Sequence, residues 1–186
     1  MAAVATHTIT ALVQDRPGVL ARIAGMFSRR GFNISNLAVG HSETPSLSRM
    51  TFVVEGDEWV VEQVTKQLYK LIDVVQVYDI SSESVVLREL ALLKVRSNAE
   101  SRPEIMQIVD IFRANIVDVT KDALVIEVTG DEEKVDALIE LLRPFGMKEV
   151  MRTGRIAMSR GSATTGARTG AKPALDQSAP DAEVVP

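Results

Sequence analysis

A chain of 186 residues has room for one medium domain or two small ones, and its 46% hydrophobic and 25% charged composition is ordinary for a soluble globular protein. A net charge of −4 argues against a general electrostatic grip on nucleic acid, and the lack of cysteine excludes disulfides, thiolate metal sites and a cysteine nucleophile. No apolar run is long enough to span a bilayer, and no basic N-terminal region leads into a long apolar stretch, so a soluble cytoplasmic protein is expected.

His7–Gln14 alternates and is β-branched, which predicts a strand. Asp15-Arg16-Pro17-Gly18 then breaks the pattern. Pro17 suits the first turn of a helix, and Gly18 leaves open the space where unpaired backbone N–H groups point outward. Leu20, Ile23, Ala24 and Phe27 follow as one helical face, and Arg29-Arg30-Gly31 ends it. Phe32–Val39 returns to strand, a polar loop covers about Gly40–Leu47, and Ser48–Glu55 is a third strand. Gly56-Asp57-Glu58 starts a helix to about Leu71, with Val60, Val61, Val64, Leu68 and Leu71 inward. Val74–Ile80 closes a βαββαβ order, which right-handed crossovers fold into an antiparallel sheet with both helices on one face.

The second half repeats the first. Arg88–Arg96 is strand-like, Ser101-Arg102-Pro103-Glu104 stands where Asp15–Gly18 stood, and Ile108–Phe112 echoes Ile23–Phe27. Asn115–Thr120 and Leu124–Thr129 are strands around a tight turn at Lys121-Asp122. Gly130-Asp131-Glu132 repeats Gly56-Asp57-Glu58 before a helix to about Leu142, and a last strand lies near Lys148–Thr153. The expected fold is α+β: two tandem ferredoxin-like βαββαβ domains, at 5–82 and 85–160, joined around Ser81–Ser84. The segment 162–186 reduces to small residues and proline with no aromatic residue, a composition expected to stay disordered.

Ligand capacity is expected in the first copy, because Glu104 in the second would oppose an anion where Gly18 leaves a helix start open. Backbone N–H groups of Gly18 and Val19 would receive a carboxylate. Asn33, placed across from this loop, can donate and accept at once, which suits a zwitterion such as a free amino acid. The alternative is that Asp15 merely caps the helix and Asn33 pairs with a neighbouring strand or turn.

Other constellations point to structure. His7 and His41 are the only histidines and neither has a metal-ligand partner at i+3 or i+4, so no metal site is expected. No Gly-x-Ser-x-Gly elbow is present, and Asp131-Glu132-Glu133 reads as a favourable helix first turn. Gly161–Gly166 begins like a phosphate loop but continues Ala167-Arg168, and Asn33-Ile34-Ser35 is a sequon without a secretory signal. Glu43–Met50 has the composition of either a mobile loop or a partner-contact surface.

Over roughly residues 7–160 the chain resembles a known family. The block DRPGVLARIAGMFSRRGFNISNLAVG resembles an ACT domain of the small regulatory subunits of acetolactate synthase (acetohydroxyacid synthase). SLSRMT (Ser46–Thr51), KQLYKLIDVV (Lys66–Val75), IFRANIVDVT (Ile111–Thr120) and RTGRIAMSRG (Arg152–Gly161) are similar to the rest of that family's pattern. The resemblance implies an N-terminal ACT domain, a C-terminal ACT-like domain and no catalytic site in this chain. It implies a large catalytic subunit as partner, carrying thiamine diphosphate, magnesium and FAD, which this chain would activate. It also implies feedback inhibition by valine, with isoleucine or leucine as related effectors, bound where two ACT domains pair as a homodimer. Carried over by position, Asp15, Gly18, Val19, Asn33 and Ile34 are the effector-site candidates, and Asp15, an Asn in some relatives, makes ammonium pairing possible. Independently, no Gly-Asp-Gly with a downstream Asn-Asn pair is present for a magnesium–diphosphate site. The alternative function is a stand-alone ACT-type amino-acid sensor acting on another enzyme or on transcription, although no helix-turn-helix or basic stripe is visible.

Overall fold

The computed structural model describes residues 5–162, 164 and 165. The disorder expected for 162–186 therefore falls almost wholly outside the described residues, as does the rejected phosphate-loop segment beyond Thr165.

The first unit runs β1 (Thr6–Gln14), α1 (Val19–Arg30), β2 (Ile34–His41), β3 (Leu47–Glu55), α2 (Glu58–Leu68) and β4 (Val74–Asp79). Its antiparallel sheet has the order β2-β3-β1-β4. The second unit runs β5 (Val85–Arg96), α3 (Arg102–Ile111), β6 (Asn115–Val119), β7 (Ala123–Gly130), α4 (Glu132–Leu142) and β8 (Met147–Arg152), in the equivalent order β6-β7-β5-β8. The α+β fold with two ferredoxin-like units is as the sequence predicts.

Alternation along β1 sends Ile9, Ala11 and Val13 to the helices, where they meet Ile23, Met26 and Phe27 of α1 and Val61, Val64 and Leu68 of α2. The buried face of α1 is Val19, Ile23, Met26 and Phe27. Leu20 and Ala24, expected inward, are exposed: the buried stripe is Val19, Ile23, Met26 and Phe27, and these two lie on its flank. The paired Gly-Asp motifs cap α2 and α4: Val60 N–H donates to Asp57 Oδ1 at 2.9 Å and Lys134 N–H to Asp131 Oδ1 at 3.0 Å. A Cβ at Gly56 would lie 2.6 Å from Val60 Cβ, so that helix entry needs the small residue, whereas at Gly130 the near atom belongs to the flexible Lys134 side chain.

One strand is absent from the expected set. β9 (Ile156–Ser159) pairs with Val85–Arg88, the first third of β5, while the rest of β5 sits in the second sheet. This ribbon covers the first sheet's outer face: Tyr78 and Ile80 pack against Val85, Leu87 and Ala157. The units are thus fastened by a small shared core as well as by the Ser81–Ser84 connector.

Candidate functional site

The Asp15–Val19 segment is a turn before a helix. Val19 N–H donates to Arg16 O at 3.3 Å, and Gly18 sits at φ 86°, ψ −7°. That is the third position of a type II turn, where glycine alone avoids a steric cost, with proline favoured just before it. Pro17 therefore lies outside the helix rather than in its first turn, and Gly18 is the N-cap, with no side-chain cap. Gly18 is favoured by its backbone conformation as well as by the space it leaves open.

Two expectations change with this geometry. The N–H of Val19 is used by the turn and its side chain is buried in the core, so the expected Gly18/Val19 amide pair is not what faces solvent. Among the described residues, the amides of Gly18, Leu20 and Ala21 have no partner. Asp15 does not cap the helix: its carboxylate lies 3.1 Å from His41 Nδ1, and its amide bonds Ser46 O at 2.8 Å. This leaves Asp15 beside the open amides, at the end of the sheet where β2 stops.

Sequence reasoning missed Arg22, one turn along α1. Its Nε donates to Asp73 Oδ2 at 2.8 Å, and its Nη1 would lie 3.3 Å from a Cβ at Gly18. The guanidinium thus lies over the glycine turn with its charge shared with Asp73, and it offers Nη1 as a donor beside the helix N-terminus. Its i+4 spacing from Gly18 was the available signal.

The other candidates are set by the far end of α1. Gly31 takes φ 69°, its N–H bonding Phe27 O and Ser28 O, and Phe32 N–H also bonds Phe27 O, at 3.1 Å. This is a Schellman close, and its hydrophobic contact is the Phe27–Phe32 edge-to-face pair at 6.3 Å. The chain emerges with Asn33 exposed and, among the described residues, without a hydrogen-bond partner. Ile34 follows as the first residue of β2, half-buried on the core.

Register separates these two groups. Ile34 is opposite Val54, which is opposite His7; His41 is opposite Ser48, which is opposite Val13. β1 and β2 are therefore parallel, and Asn33-Ile34 lies level with the start of β1 while Asp15–Gly18 lies beyond its end. At roughly 3.3 Å per residue the two are on the order of 25 Å apart along the sheet. Asn33 is not across from the glycine loop of its own chain, which corrects the expected pairing.

The second copy is closed at the corresponding place. α3 begins at Arg102, so Pro103 does occupy the first turn there. Asn98 Oδ1 accepts from the N–H groups of Glu100 and Ser101, Asn98 O accepts from Arg102 N–H, and the Arg102 guanidinium reaches Thr120 O and Lys121 O. The amides of Glu100, Ser101, Arg102 and Ile105 are engaged, Pro103 has none, and Arg102 is taken up by two carbonyls, so with the exposed Glu104 carboxylate no cluster of open donors faces an anion here.

The loop between β2 and β3 is a five-residue hairpin connection, Ser42–Ser46, shorter than expected. Leu47–Met50 belong to β3 and Met50 is buried, so only Glu43–Ser46 of the segment Glu43–Met50 is loop. Arg49 Nη2 holds Glu43 at 2.9 Å. The Glu43 carboxyl is held below its ordinary range, by its own backbone amide first and then by Arg49. Among the described residues no cluster of three potential metal ligands occurs, and no helix is long and apolar enough to cross a membrane. Two clefts, of about 450 and 280 Å³, lie at or beside the junction of the units and not at the glycine turn.

Known proteins match both halves. Residues 9–76 match the family model described as an AHAS small subunit-like ACT domain, and residues 88–161 match that of the small subunit of acetolactate synthase. A probable acetolactate synthase small subunit of Methanothermobacter thermautotrophicus is 59% identical over 160 residues, covering 86% of this chain and 95% of that protein. The acetolactate synthase small subunit of Mycobacterium leprae is 49% identical over 161 residues, covering 87% and 95%. The crystal structure of the acetolactate synthase small subunit from Thermotoga maritima aligns with a TM-score of 0.81 at 46% identity, over 86% of this chain and all of that one.

Proposed function

This chain belongs to the acetolactate synthase small-subunit family, and on that premise we propose that it activates a large catalytic subunit and makes it sensitive to inhibition by valine. The single observation that carries the effector reading is the open glycine turn: three unpartnered amides at Gly18, Leu20 and Ala21, with the Arg22 guanidinium above them. They receive the α-carboxylate by the dipole and by charge-assisted hydrogen bonds. The Asp15 carboxylate, beside His41, takes the ammonium. Leu20, 47% exposed next to these amides, offers an apolar surface to a branched side chain.

Asn33 and Ile34 join this site from a second copy. A two-fold axis that sets β2 beside the partner's β2 runs the strands in opposite directions, so the start of one meets the end of the other. The roughly 25 Å that separates the two groups within one chain is then closed between chains, giving two equivalent sites per homodimer. Effector binding favours one arrangement of the pair, and the catalytic subunit responds to that arrangement through different contacts. Thiamine diphosphate, magnesium and FAD belong to that partner, not to this chain.

The test is reconstitution. Adding the full chain to a purified acetolactate synthase catalytic subunit raises turnover, and valine then lowers it, with isoleucine and leucine titrated in parallel by calorimetry. Unchanged turnover together with insensitivity to all three amino acids rejects the proposal.

A further inference from the structure

The stretch that links β8 to β9 crosses from the second unit to β2 of the first. Thr153 N–H bonds Leu90 O at 2.9 Å and Leu90 N–H bonds Thr153 Oγ1 at 3.0 Å, which fixes one end of the crossing on β5. Arg152 pairs with the buried carboxylate of Glu89 and, at 2.6 Å, with Asp136 of α4. Arg155 Nη2 holds Glu132 in the first turn of α4 at 2.7 Å. The crossing therefore moves with the second unit.

Its tip meets β2 in its middle. Arg155 N–H donates to Asn36 Oδ1 at 2.7 Å, a half-buried bond between residues 119 apart in sequence. A Cβ at Gly154 would overlap the Leu37 carbonyl and lie 2.8 Å from Ala38 N, so only glycine allows the approach. Ser42 N–H bonds Leu47 O, so ladder bonds recur at alternate pairs, at Gly40 with Arg49 and at Ala38 with Thr51. The Leu37 carbonyl consequently points away from β3, along the outer edge of β2. Gly154 therefore covers the middle of that edge, so a second copy set beside β2 meets it at its two ends, where Asn33-Ile34 and His41 lie, and not through a continuous ladder.

We infer that the Gly154–Arg155 crossing couples the effector site to the second unit, with Asn36 as the positioning residue through which a shift of β2 is passed on. This rests on the effector-site reading above. β2 carries Asn33-Ile34 at its start, His41 beside Asp15 at its end, and Asn36 just beyond the bulge at Ser35. An effector bound between two copies fixes both ends of this strand, and the bond to Arg155 N–H obliges the second unit to follow. Without that bond the strand still binds effector but its displacement is not transmitted.

The experiment uses the full chain with a catalytic subunit, valine binding being followed by calorimetry and inhibition by turnover. Asn36→Ala keeps valine affinity within about threefold, since it touches none of the proposed binding groups, and loses more than half of the maximal inhibition; activation without valine stays. Asn36→Asp restores inhibition, because a carboxylate oxygen accepts the same N–H. Gly154→Ala, which forces the crossing off Leu37, reproduces the Asn36→Ala behaviour. Wild-type inhibition in Asn36→Ala overturns the coupling, as does loss of binding in step with loss of inhibition, or failure of Asn36→Asp to restore it. A wild-type chain that binds no branched-chain amino acid overturns the effector reading instead, so the two failures are distinct.

Discussion

Single residues decide where this protein is open and where it is closed. Gly18→Asp is the sharpest change at the glycine turn. Aspartate tolerates a positive φ better than most residues, at a cost of about 1 kcal/mol, so the chain folds. Its carboxylate then occupies the anion's position under Arg22. Valine binding falls by at least about 100-fold while activation persists, since two to three charge-assisted bonds are lost at about 1.5–3 kcal/mol each; calorimetry and reconstituted turnover read the two effects separately. Thr10 is a residue of the opposite kind. It is 0% exposed in β1, opposite Tyr78, and among the described residues its Oγ1 has no partner. A buried hydroxyl without a hydrogen bond costs about 1–3 kcal/mol, and valine has nearly the same shape. Thr10→Val raises stability by about 1 kcal/mol, seen as a higher denaturant midpoint at unchanged slope; a lower midpoint would mean that the hydroxyl is satisfied in solution.

At the scale of elements, the repeat was legible because capping and periodicity are local. Asp57 and Asp131 cap as their motifs predict, and each strand of the two sheets was placed within a few residues. What escaped depended on partners remote in sequence. β9 is four residues long, and its alternation acquires meaning only when Val85–Arg88, about seventy residues earlier, lies alongside. The entry of α1 is ambiguous in the sequence for a similar reason: Pro17 suits a helix first turn and a type II turn equally, and only the positive φ of Gly18 separates them. Asn33 and the glycine loop both flank α1, which suggests in sequence that they face each other, yet a helix that returns alongside its strand carries its two ends to opposite ends of the sheet. The β2–β3 hairpin supplies a pH prediction at this scale. Glu43 has a lowered pKa in the folded chain, so the stability it contributes is present above the ordinary glutamate range and is lost as pH falls through the lower folded value. Its carboxyl resonance titrates below that of a free glutamate, and Arg49→Gln moves the midpoint back up. An unmoved midpoint would show that the Arg49 contact is not kept in solution.

For the whole molecule, the central consequence is that neither candidate half-site can be completed within one chain. The register puts Asp15 and Gly18 at one end of the first sheet and Asn33 and Ile34 at the other. The Thr153–Ile156 crossing covers the middle of β2 around Leu37, so that strand serves the junction of the units at its centre and the proposed contact with a second copy at its ends. A two-chain site can be tested without a structure of the complex. Gly18→Asp damages the loop half and Asn33→Ala the strand half, so a homodimer of either variant has both sites broken. Unfolding and refolding equal amounts together makes about half of the dimers mixed. In each mixed dimer the intact loop of one chain faces the intact Asn33 of the other, and the remaining site carries both defects. About one site in four is then restored, with wild-type affinity, and calorimetry reads this as recovered stoichiometry and not as a weakened constant. A site contained within one chain gives no recovery at all, because no chain in the mixture carries both intact halves.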